Sequence, residues 1–446
     1  MHMNDNTGRG IGPDEKTGKI MAFSLLAAFS YIVYRKLINT IKPRYTIHDI
    51  RVNNFVKSTN RLMKERIKSI DIVRGVIMII MTLDHTRDFL HPGPSPLDMQ
   101  TTTVILFFTR WITHFCAPGF VFLSGVSAWL AGQRRTKKEL SSFLFKRGLW
   151  LILSDILIIS LLFTFDLQYH MIMLEVLWAT GFGMIILALL IRAPMAVIVT
   201  TAMIILFGHN LLDYVQLPAD GLAGSLSKMF LSARGVFIPM SADRSIVVLY
   251  AAIPWAGALL LGYCFGGLYK TGYDADKRKR ILRLSGVSAI LLFVVLRLIN
   301  HYGDPSPWMA QRNTMHTILS FLNVTKQSPS LLFFLVTLGP LMLLLSFTEK
   351  TVGPFAGFCR VYGNVPYFYF IIHLSLLRLL NIGLALMAGL PLKSDGSPIV
   401  WQVQGFGIPL WAVYLCWITV VLLLYYPCRW YGHYKQTHKE WWLSYV

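Results

Sequence analysis

Long apolar stretches separated by short polar segments dominate the chain from about residue 70 to residue 427. Each contains roughly twenty mainly apolar residues, the length that crosses a bilayer as an α-helix. A transmembrane β-barrel would instead alternate apolar and polar residues over about ten positions. The pattern therefore predicts an all-α polytopic membrane protein. We place ten core spans at about 70–90, 102–130, 142–165, 171–191, 194–212, 245–269, 281–300, 329–348, 361–389 and 406–427.

An eleventh apolar stretch lies nearer the N-terminus, at about residues 20–36. Its apolar core is short, which is compatible with an extra transmembrane helix or signal-anchor, an interfacial helix or a cleaved segment. We divide the chain into an N-terminal extension with a basic linker (1–65), a transmembrane domain (66–427) and a basic, aromatic tail (428–446).

The composition agrees with a membrane protein, since 54% of the residues are hydrophobic and only 14% are charged. Soluble domains usually contain about 25% charged residues. The net charge of +20 would indicate a nucleic-acid partner in a soluble protein. Here the basic residues fall between spans, and we expect a lipid bilayer and no nucleic acid as the partner. The five cysteines show no CxxC spacing, so neither a disulfide framework nor a zinc site is expected.

The basic residues also predict the orientation of the spans. Ten Lys and Arg residues lie between Arg35 and Lys68, and further clusters follow the second and sixth spans. The positive-inside rule then places residues 35–68, 131–147 and 270–283 in the cytosol, together with the C-terminus. The outer end of the first core span consequently faces the opposite side of the membrane.

That outer end reads MTLDHTRDFLHP, from Met81 to Pro92. It places five titratable residues directly after an aliphatic run, although a charged group at membrane depth costs at least about 2.5–3.5 kcal/mol. These five residues are Asp84, His85, Arg87, Asp88 and His91. Part of this group belongs to one helical stripe, with spacings of three and four residues. The stripe consists of Asp71, Arg74, Met78, Met81, His85 and Asp88.

The stripe has a cationic cytosolic end and a histidine-bearing outer end. Arg74 and His85 are eleven residues apart, or about 16 Å along a helix. Asp71 and Arg74 have the spacing of an i,i+3 ion pair. The alternative interpretation is that Arg74 contacts an anionic cytosolic ligand.

Two other spans carry histidines near mid-membrane. In the second span Arg110 and His114 share a helix face, and Pro118 can kink the helix beside them. The ninth span contains His373. Each histidine could bond to a neighbouring helix or line a functional cavity. The outer loops add four further polar candidates, Asp304, Arg312, His316 and Lys326.

Two sequence blocks are similar to a known family. RIKSIDIVRGVIMIIMTLDH contains Arg66, then Ser-Ile-Asp, then Arg74-Gly75, and FCAPGFVFLSGVSAWLAG follows in the second span. They resemble the catalytic domain of heparan-α-glucosaminide N-acetyltransferase and its bacterial relatives, a group of transmembrane acyltransferases. Softer similarities extend the resemblance over about residues 66–427.

The resemblance implies an acyl-CoA donor, acetyl-CoA above all, bound from the cytosol, and a sugar or glycan acceptor on the far side. In the lysosomal member an Asn closes the first motif and a nearby His is the catalytic base. By position, the Asn falls on His85 here and the catalytic His falls near His91. The resemblance also implies the inner membrane of a bacterium as the location.

Acyl transfer from a thioester needs a general base, a stabilised oxyanion and a cationic site for the donor's phosphates. We expect no metal, because the spacing of His85 and His91 resembles no metal motif. The candidate catalytic residues are Asp84, His85, Asp88, His91, Arg110 and His114. The candidate donor-binding residues are Asp71, Arg74, Lys326 and His373.

Asp84 or Asp88 could orient either His85 or His91 as the base. Direct transfer is favoured, because no serine or cysteine stands in a nucleophile motif, and a covalent acyl-histidine stays open. A transporter for a small anionic or proton-coupled solute is the alternative function, since intramembrane His and Arg also mark ion pathways. A homodimer also stays open.

Overall fold

The computed structural model describes residues 67–91, 93, 95–233, 237–390, 403 and 405–444. The predicted apolar segment at 20–36 lies outside the described residues. Ile67–Thr164 and His170–Val446 belong to one compact unit. The intervening Phe165–Tyr169 segment contains two residues at positive φ, Phe165 and Tyr169.

Fifteen α-helices are present in the described part of the chain. They are α1 (Lys68–Leu90), α2 (Val104–Trp111), α3 (Cys116–Gly132), α4 (Lys137–Ser154), α5 (Ser160–Thr164), α6 (Val176–Leu190), α7 (Met195–Gly208), α8 (Gly221–Phe230), α9 (Ala252–Gly266), α10 (Ala275–Ile299), α11 (Thr314–Leu322), α12 (Leu331–Thr348), α13 (Pro354–Gly363), α14 (Pro366–Met387) and α15 (Leu410–Thr437). A 3₁₀ turn, Ile112–Phe115, joins α2 to α3, and a π-helical segment, Asp155–Ile159, joins α4 to α5.

Eight helical segments among the described residues are long and apolar enough to cross a membrane. They coincide with eight of the ten predicted spans. The other two predicted spans are also helical. Helix α6 is shorter, with 15 residues, and α1 has 23 residues but carries several charged side chains. The prediction of an all-α polytopic membrane protein is confirmed.

A small three-stranded sheet is the part that the hydrophobic pattern did not predict. Its strands are β1 (Met171–Leu174), β2 (Phe237–Pro239) and β3 (Ser245–Val248), in the order β1-β3-β2. β1 pairs parallel with β3, and β2 pairs antiparallel with β3. The predicted starts of the spans at 171 and 245 are therefore wrong. Short apolar runs fit a buried strand as well as a helix, so periodicity could not separate the two.

Helix α1 lies inside the helical assembly and packs against α3, α12, α13, α14 and α15. Its contact with α13 is made backbone to backbone. A Cβ atom added to Gly75 would stand 1.8 Å from the Cys359 carbonyl oxygen, and one added to Gly363 would stand 1.9 Å from the Asp71 carbonyl oxygen. Glycine is required at both positions because any side chain would overlap the neighbouring backbone. This contact fixes the helix that carries the polar stripe.

Candidate functional site

Arg74 lies near the start of α1 and is held by three protein groups. Its Nη1 atom donates to Asp71 Oδ1 at 3.1 Å and to the Gly363 carbonyl at 3.1 Å. Its Nη2 atom donates to Ser127 Oγ at 2.9 Å. The i,i+3 ion pair is therefore present. A role for Asp71 and Arg74 in donor binding stays a prediction.

A buried ion-pair network lies near the other end of α1. Asp84 accepts hydrogen bonds from two guanidinium groups, Arg110 Nη1 at 2.6 Å and Arg87 Nη2 at 3.3 Å. Arg87 Nη2 also donates to Asp88 Oδ1 at 2.5 Å. Asp84 has two cationic partners and Arg87 has two anionic partners. Such pairing allows charged groups to stay buried at a depth where an isolated charge would be too costly. The structure thus joins predicted residues of the first and second spans.

His85 bonds to a histidine 288 positions later in the chain. Its Nδ1 atom lies 2.7 Å from His373 Nε2. His373 Nδ1 lies 2.8 Å from the Tyr369 carbonyl oxygen, which can only accept, so Nδ1 of His373 is the donor. A neutral imidazole carries one N–H, so His373 Nε2 accepts the proton of His85 Nδ1. These contacts assign the tautomer and leave His85 Nε2 with its lone pair available.

His85 is only partly buried, whereas His373 is fully buried. No protein group in the described ranges bonds to His85 Nε2. The ring is also fixed by its neighbours, since it stacks on His373 with centroids 5.0 Å apart and contacts Phe163 edge-on at 6.1 Å. His85 is therefore an oriented imidazole with one accessible nitrogen.

His114 lies in the 3₁₀ turn between α2 and α3 and is 1% exposed. Neither of its ring nitrogens has a hydrogen-bond partner in the part of the chain that the structure describes. Its ring contacts Phe333 edge-on at 5.5 Å. The turn tightens here because Pro118 has no N–H to offer the His114 carbonyl. Arg110, Asp84 and Lys326 lie within electrostatic range of the ring.

Lys326 enters the same group from the loop between α11 and α12. The loop is anchored on both sides of the lysine. Asp304 Oδ2 accepts from the Thr325 amide at 2.9 Å and from Ser330 Oγ at 2.6 Å. Before the lysine, buried Arg297 also donates to the carbonyl oxygen of Asn323 at 2.6 Å.

The ammonium of Lys326 stands 5.7 Å from the centre of the Tyr250 ring. Burial lowers the pKa of Lys326, and the nearby Arg110 charge lowers it further. Lys326 has no hydrogen-bond partner among the described residues. Lys326 lies within electrostatic range of Asp84 and Arg110, and its assignment to donor binding stays a prediction that no contact in the structure tests.

His91 is held outside this group. Its Nδ1 atom donates to the Ile408 carbonyl oxygen at 2.9 Å, and the Ile408 amide donates to the Leu90 carbonyl oxygen at 2.8 Å. His91 thereby fastens the end of α1 to the segment that precedes α15. None of the described contacts joins His91 to Asp84 or His85, so its catalytic assignment stays a prediction without a contact to support it.

Two acidic residues near the group were missed at the level of sequence. Asp155 begins the π-helical segment, and Glu175 precedes α6. Both lie in or next to predicted spans, and an acid within an apolar run is the signal that could have found them. Burial raises the pKa of Glu175 to about 7, although the Lys326 charge acts in the opposite direction.

The site therefore consists of three imidazoles, a buried ion-pair network and several polar groups that have no hydrogen-bond partner among the described residues. Its principal members are Asp84, His85, Arg110, His114, Glu175, Lys326 and His373. No group of three His, Cys, Asp or Glu residues stands close enough to hold a metal ion within the described ranges.

The family model for the catalytic region of heparan-alpha-glucosaminide N-acetyltransferase matches residues 66–298, just over half of the chain. The chain belongs to this family. A comparison with curated proteins finds no match. Membership of the N-acetyltransferase family confirms the resemblance and supports a membrane acyltransferase-like enzyme.

The matched residues include α1 to α9 and most of α10, with Asp84, His85, Arg110 and Glu175 among them. Lys326 and His373 lie beyond the match. The orientation of His85 thus depends on a partner that the family match does not include.

Proposed function

We propose that the protein transfers an acyl group, most simply acetyl, from cytosolic acyl-CoA to a sugar or glycan on the non-cytosolic side of the membrane. The hydrogen-bonded pair of His85 and His373 carries this proposal. A general base requires an oriented imidazole with an available lone pair. In His85, Nδ1 donates to His373 and fixes the ring, and Nε2 is accessible.

In the proposed reaction the acceptor's hydroxyl or amine gives its proton to His85 Nε2 as its heteroatom attacks the thioester carbonyl carbon. The tetrahedral intermediate then collapses, the carbon–sulfur bond breaks, and the CoA sulfur leaves. The proton on His85 passes to that sulfur. The products are the acylated acceptor and free CoA, and no group on the protein is consumed.

The negative charge that develops on the carbonyl oxygen needs donors. Arg110 is suited to this role because its guanidinium is held by Asp84 and presents further N–H groups. His114 also has two ring nitrogens that no described protein group satisfies, and one of them can carry a proton to donate. Arg74, at the far end of α1, is assigned in this proposal to the CoA end of the donor.

The test uses the purified full-length protein with labelled acetyl-CoA, and with glucosamine and glucose as acceptor probes. We expect His85→Ala to lower kcat by about 10²–10⁴, the usual contribution of general acid–base catalysis. His91→Ala should retain activity, because His91 contacts Ile408 outside the group. The exposed His433 provides a matched control, His433→Ala.

Wild-type transfer rates in the His85→Ala variant would contradict the role of His85. Absence of transfer in the wild-type protein, with uptake of an unmodified solute into proteoliposomes, would favour the transporter instead. A CoA-dependent rise in melting temperature would support donor binding independently of the acceptor chosen.

A further inference from the structure

Glu175 occupies the corner where β1 ends and α6 begins. The parallel pairing of β1 with β3 sets Leu174 opposite Val248. The Leu174 carbonyl oxygen accepts from the amides of Leu249 at 3.1 Å and Tyr250 at 3.2 Å. The small sheet therefore brings Glu175 and Tyr250, which are 75 positions apart, to the same edge.

A buried carboxylate on another helix fixes this corner. Asp155, which is 0% exposed, accepts at Oδ2 from the Glu175 amide at 2.6 Å and from the Trp178 amide at 3.0 Å. Asp155 thus satisfies the first amides of α6, the task that an N-cap side chain normally performs. Glu175 is the N-cap residue, and its own side chain makes no cap bond. The carboxylate of Glu175 is left free for another contact.

The Glu175 carboxylate is partly buried and has no hydrogen-bond partner among the residues that the structure describes. Polar groups in such surroundings are nearly always bonded to protein, water or ligand. Its neighbourhood contains both signs of charge. The charged and titratable groups around Glu175 are Asp84, Asp88, Arg110, Asp155, Tyr250 and Lys326.

Lys326 lies near the same corner, since its ammonium stands 5.7 Å from the centre of the Tyr250 ring, and it too has no hydrogen-bond partner in the described ranges. A carboxylate that accepts and an ammonium that donates are suited to a molecule that offers both kinds of group. Hydroxyl- and amine-bearing acceptors, such as sugars, have this chemistry.

We infer that Glu175 and Lys326 form an acceptor-binding subsite, and that Asp155 is the residue that positions Glu175. This inference rests on the proposed acyl transfer and adds the residues that select its acceptor. The Glu175 carboxylate accepts a hydrogen bond from an acceptor O–H or N–H, and the Lys326 ammonium donates to an acceptor oxygen. Neither residue takes part in breaking the thioester.

The experiment measures transfer from labelled acetyl-CoA to glucosamine by the full-length protein. Glu175→Gln should raise the KM for glucosamine by about tenfold or more, the effect of losing a hydrogen bond to a charged group. The affinity for acetyl-CoA, measured by thermal shift, should not change. Glu175→Asp should restore part of the acceptor affinity because it keeps the charge.

A pH series separates binding from a structural effect. Because burial raises the pKa of Glu175 to about 7, the carboxylate becomes charged as the pH rises from 6 to 8. The ratio of the Glu175→Gln KM to the wild-type KM should therefore increase with pH. Loss of packing alone would give a ratio that does not follow this titration.

Asp155 is tested by removal and rescue. Asp155→Ala removes the acceptor of two amides and should raise the KM for glucosamine, whereas Asp155→Asn keeps an acceptor oxygen and should restore it. Asp220→Asn, at an exposed carboxylate that makes no cap bond before α8, is the matched control.

The outcomes distinguish the two proposals. An active wild-type enzyme with an unchanged KM in Glu175→Gln would overturn the subsite and leave the proposed function intact. If the wild-type protein transfers acetyl to none of the acceptor probes while still binding CoA, the proposed function fails and the subsite fails with it.

Discussion

At the scale of single residues, the site depends on hydrogen bonds that determine which nitrogen of an imidazole is available. The Tyr369 carbonyl fixes the proton of His373, and His373 in turn fixes the proton of His85. His85 is thereby presented with Nε2 unprotonated, and no carboxylate of the described residues bonds to its ring. A neutral histidine performs here the orienting task that a carboxylate performs in a catalytic triad.

Replacing His373 should therefore impair His85 without removing it. In His373→Phe the proton of His85 Nδ1 loses its acceptor, and the ring can populate the other tautomer. We expect kcat to fall by about tenfold to a hundredfold, less than the 10²–10⁴ of losing the base itself. The KM for acetyl-CoA should stay within about twofold of the wild-type value.

The double variant His373→Phe, His85→Ala provides the control for this coupling. If His373 acts only through His85, the double variant should be no slower than His85→Ala alone. A further loss in the double variant would show that His373 has an independent role.

The Asp84–Arg110 pair should be sensitive to the removal of one partner. Asp84→Asn leaves the buried guanidinium of Arg110 without its countercharge, which costs about 3–5 kcal/mol in comparable buried pairs. We expect a clear fall in melting temperature in detergent. The double variant Asp84→Asn, Arg110→Gln should recover part of that loss, and an unchanged melting temperature in the single variant would contradict the pairing.

Residue spacing predicted part of this site. The end of the aliphatic run placed Asp84 and His85 at one end of a helix, and the four-residue interval placed Arg110 beside His114. The structure brings these residues together. The spacing could not predict that His373 bonds to His85. Periodicity shows which residues share a face of one helix, but it does not show that α1 packs against α14. His91 is close to His85 in sequence, but the chain leaves the helix there and its ring turns to Ile408.

At the scale of elements, glycines set the distances between helices. The helix pairs α1 with α13 and α3 with α9 show this backbone contact at its closest among the described helices. In the second pair a Cβ on Gly125 would stand 2.0 Å from the Leu259 carbonyl oxygen, and a Cβ on Gly262 would stand 2.0 Å from the Phe122 carbonyl oxygen. Small residues allow this close approach in membrane helices, where packing contributes much of the stability.

Gly75→Ala should destabilise the protein strongly. Its Cβ would overlap the Cys359 backbone, which cannot move aside as a flexible side chain can. Overpacking of this kind costs about 1–3 kcal/mol or more. The measurement is the melting temperature and the yield of folded protein after membrane extraction.

Gly357→Ala is the matched control, since it lies on α13 and a Cβ there meets nothing within 4 Å. Alanine is favoured over glycine within helices by about 1 kcal/mol, so this variant should be as stable as the wild type or more stable. Equal effects of the two substitutions would show that the contact between α1 and α13 is not as close as described.

The hydrophobic pattern predicted which segments are helical better than it predicted where they begin. All ten predicted core spans contain a helix, because long apolar windows leave few other solutions in a membrane. The strands β1 and β3 were read as helix because they are four residues long and directly adjoin apolar helices. The same error hid Glu175, which the sheet places at a corner and not within a span.

At the scale of the whole molecule, the polar groups fall into two separated sets. Asp71 and Arg74 lie near one end of α1, with Ser127 and Gly363, whereas Asp84 and His85 lie near the other. A donor from one side and an acceptor from the other would suit such an arrangement. The charge distribution of the loops predicts that the Arg74 end faces the cytosol.

Reporter fusions test this orientation. If the C-terminus is cytosolic, a green fluorescent protein fused after Val446 should fluoresce, and an alkaline phosphatase fused at the same position should be inactive in a bacterial host. Alkaline phosphatase fused within residues 215–220, the loop before α8, should be active, because that loop is predicted to face the non-cytosolic side. An active phosphatase at the C-terminus would invert the topology and exchange the proposed donor and acceptor sides.

The backbone contact between α1 and α13 also limits how the molecule can move. A helix held against a neighbouring carbonyl has no side chain at that point whose rotamer could change to let it slide or roll. α1 and α13 must therefore move as one rigid rod, and that rod carries both Arg74 and His85. Because Arg74 and His85 both belong to α1, the distance between the two polar ends of the stripe is set by that helix and stays the same when the neighbouring helices move.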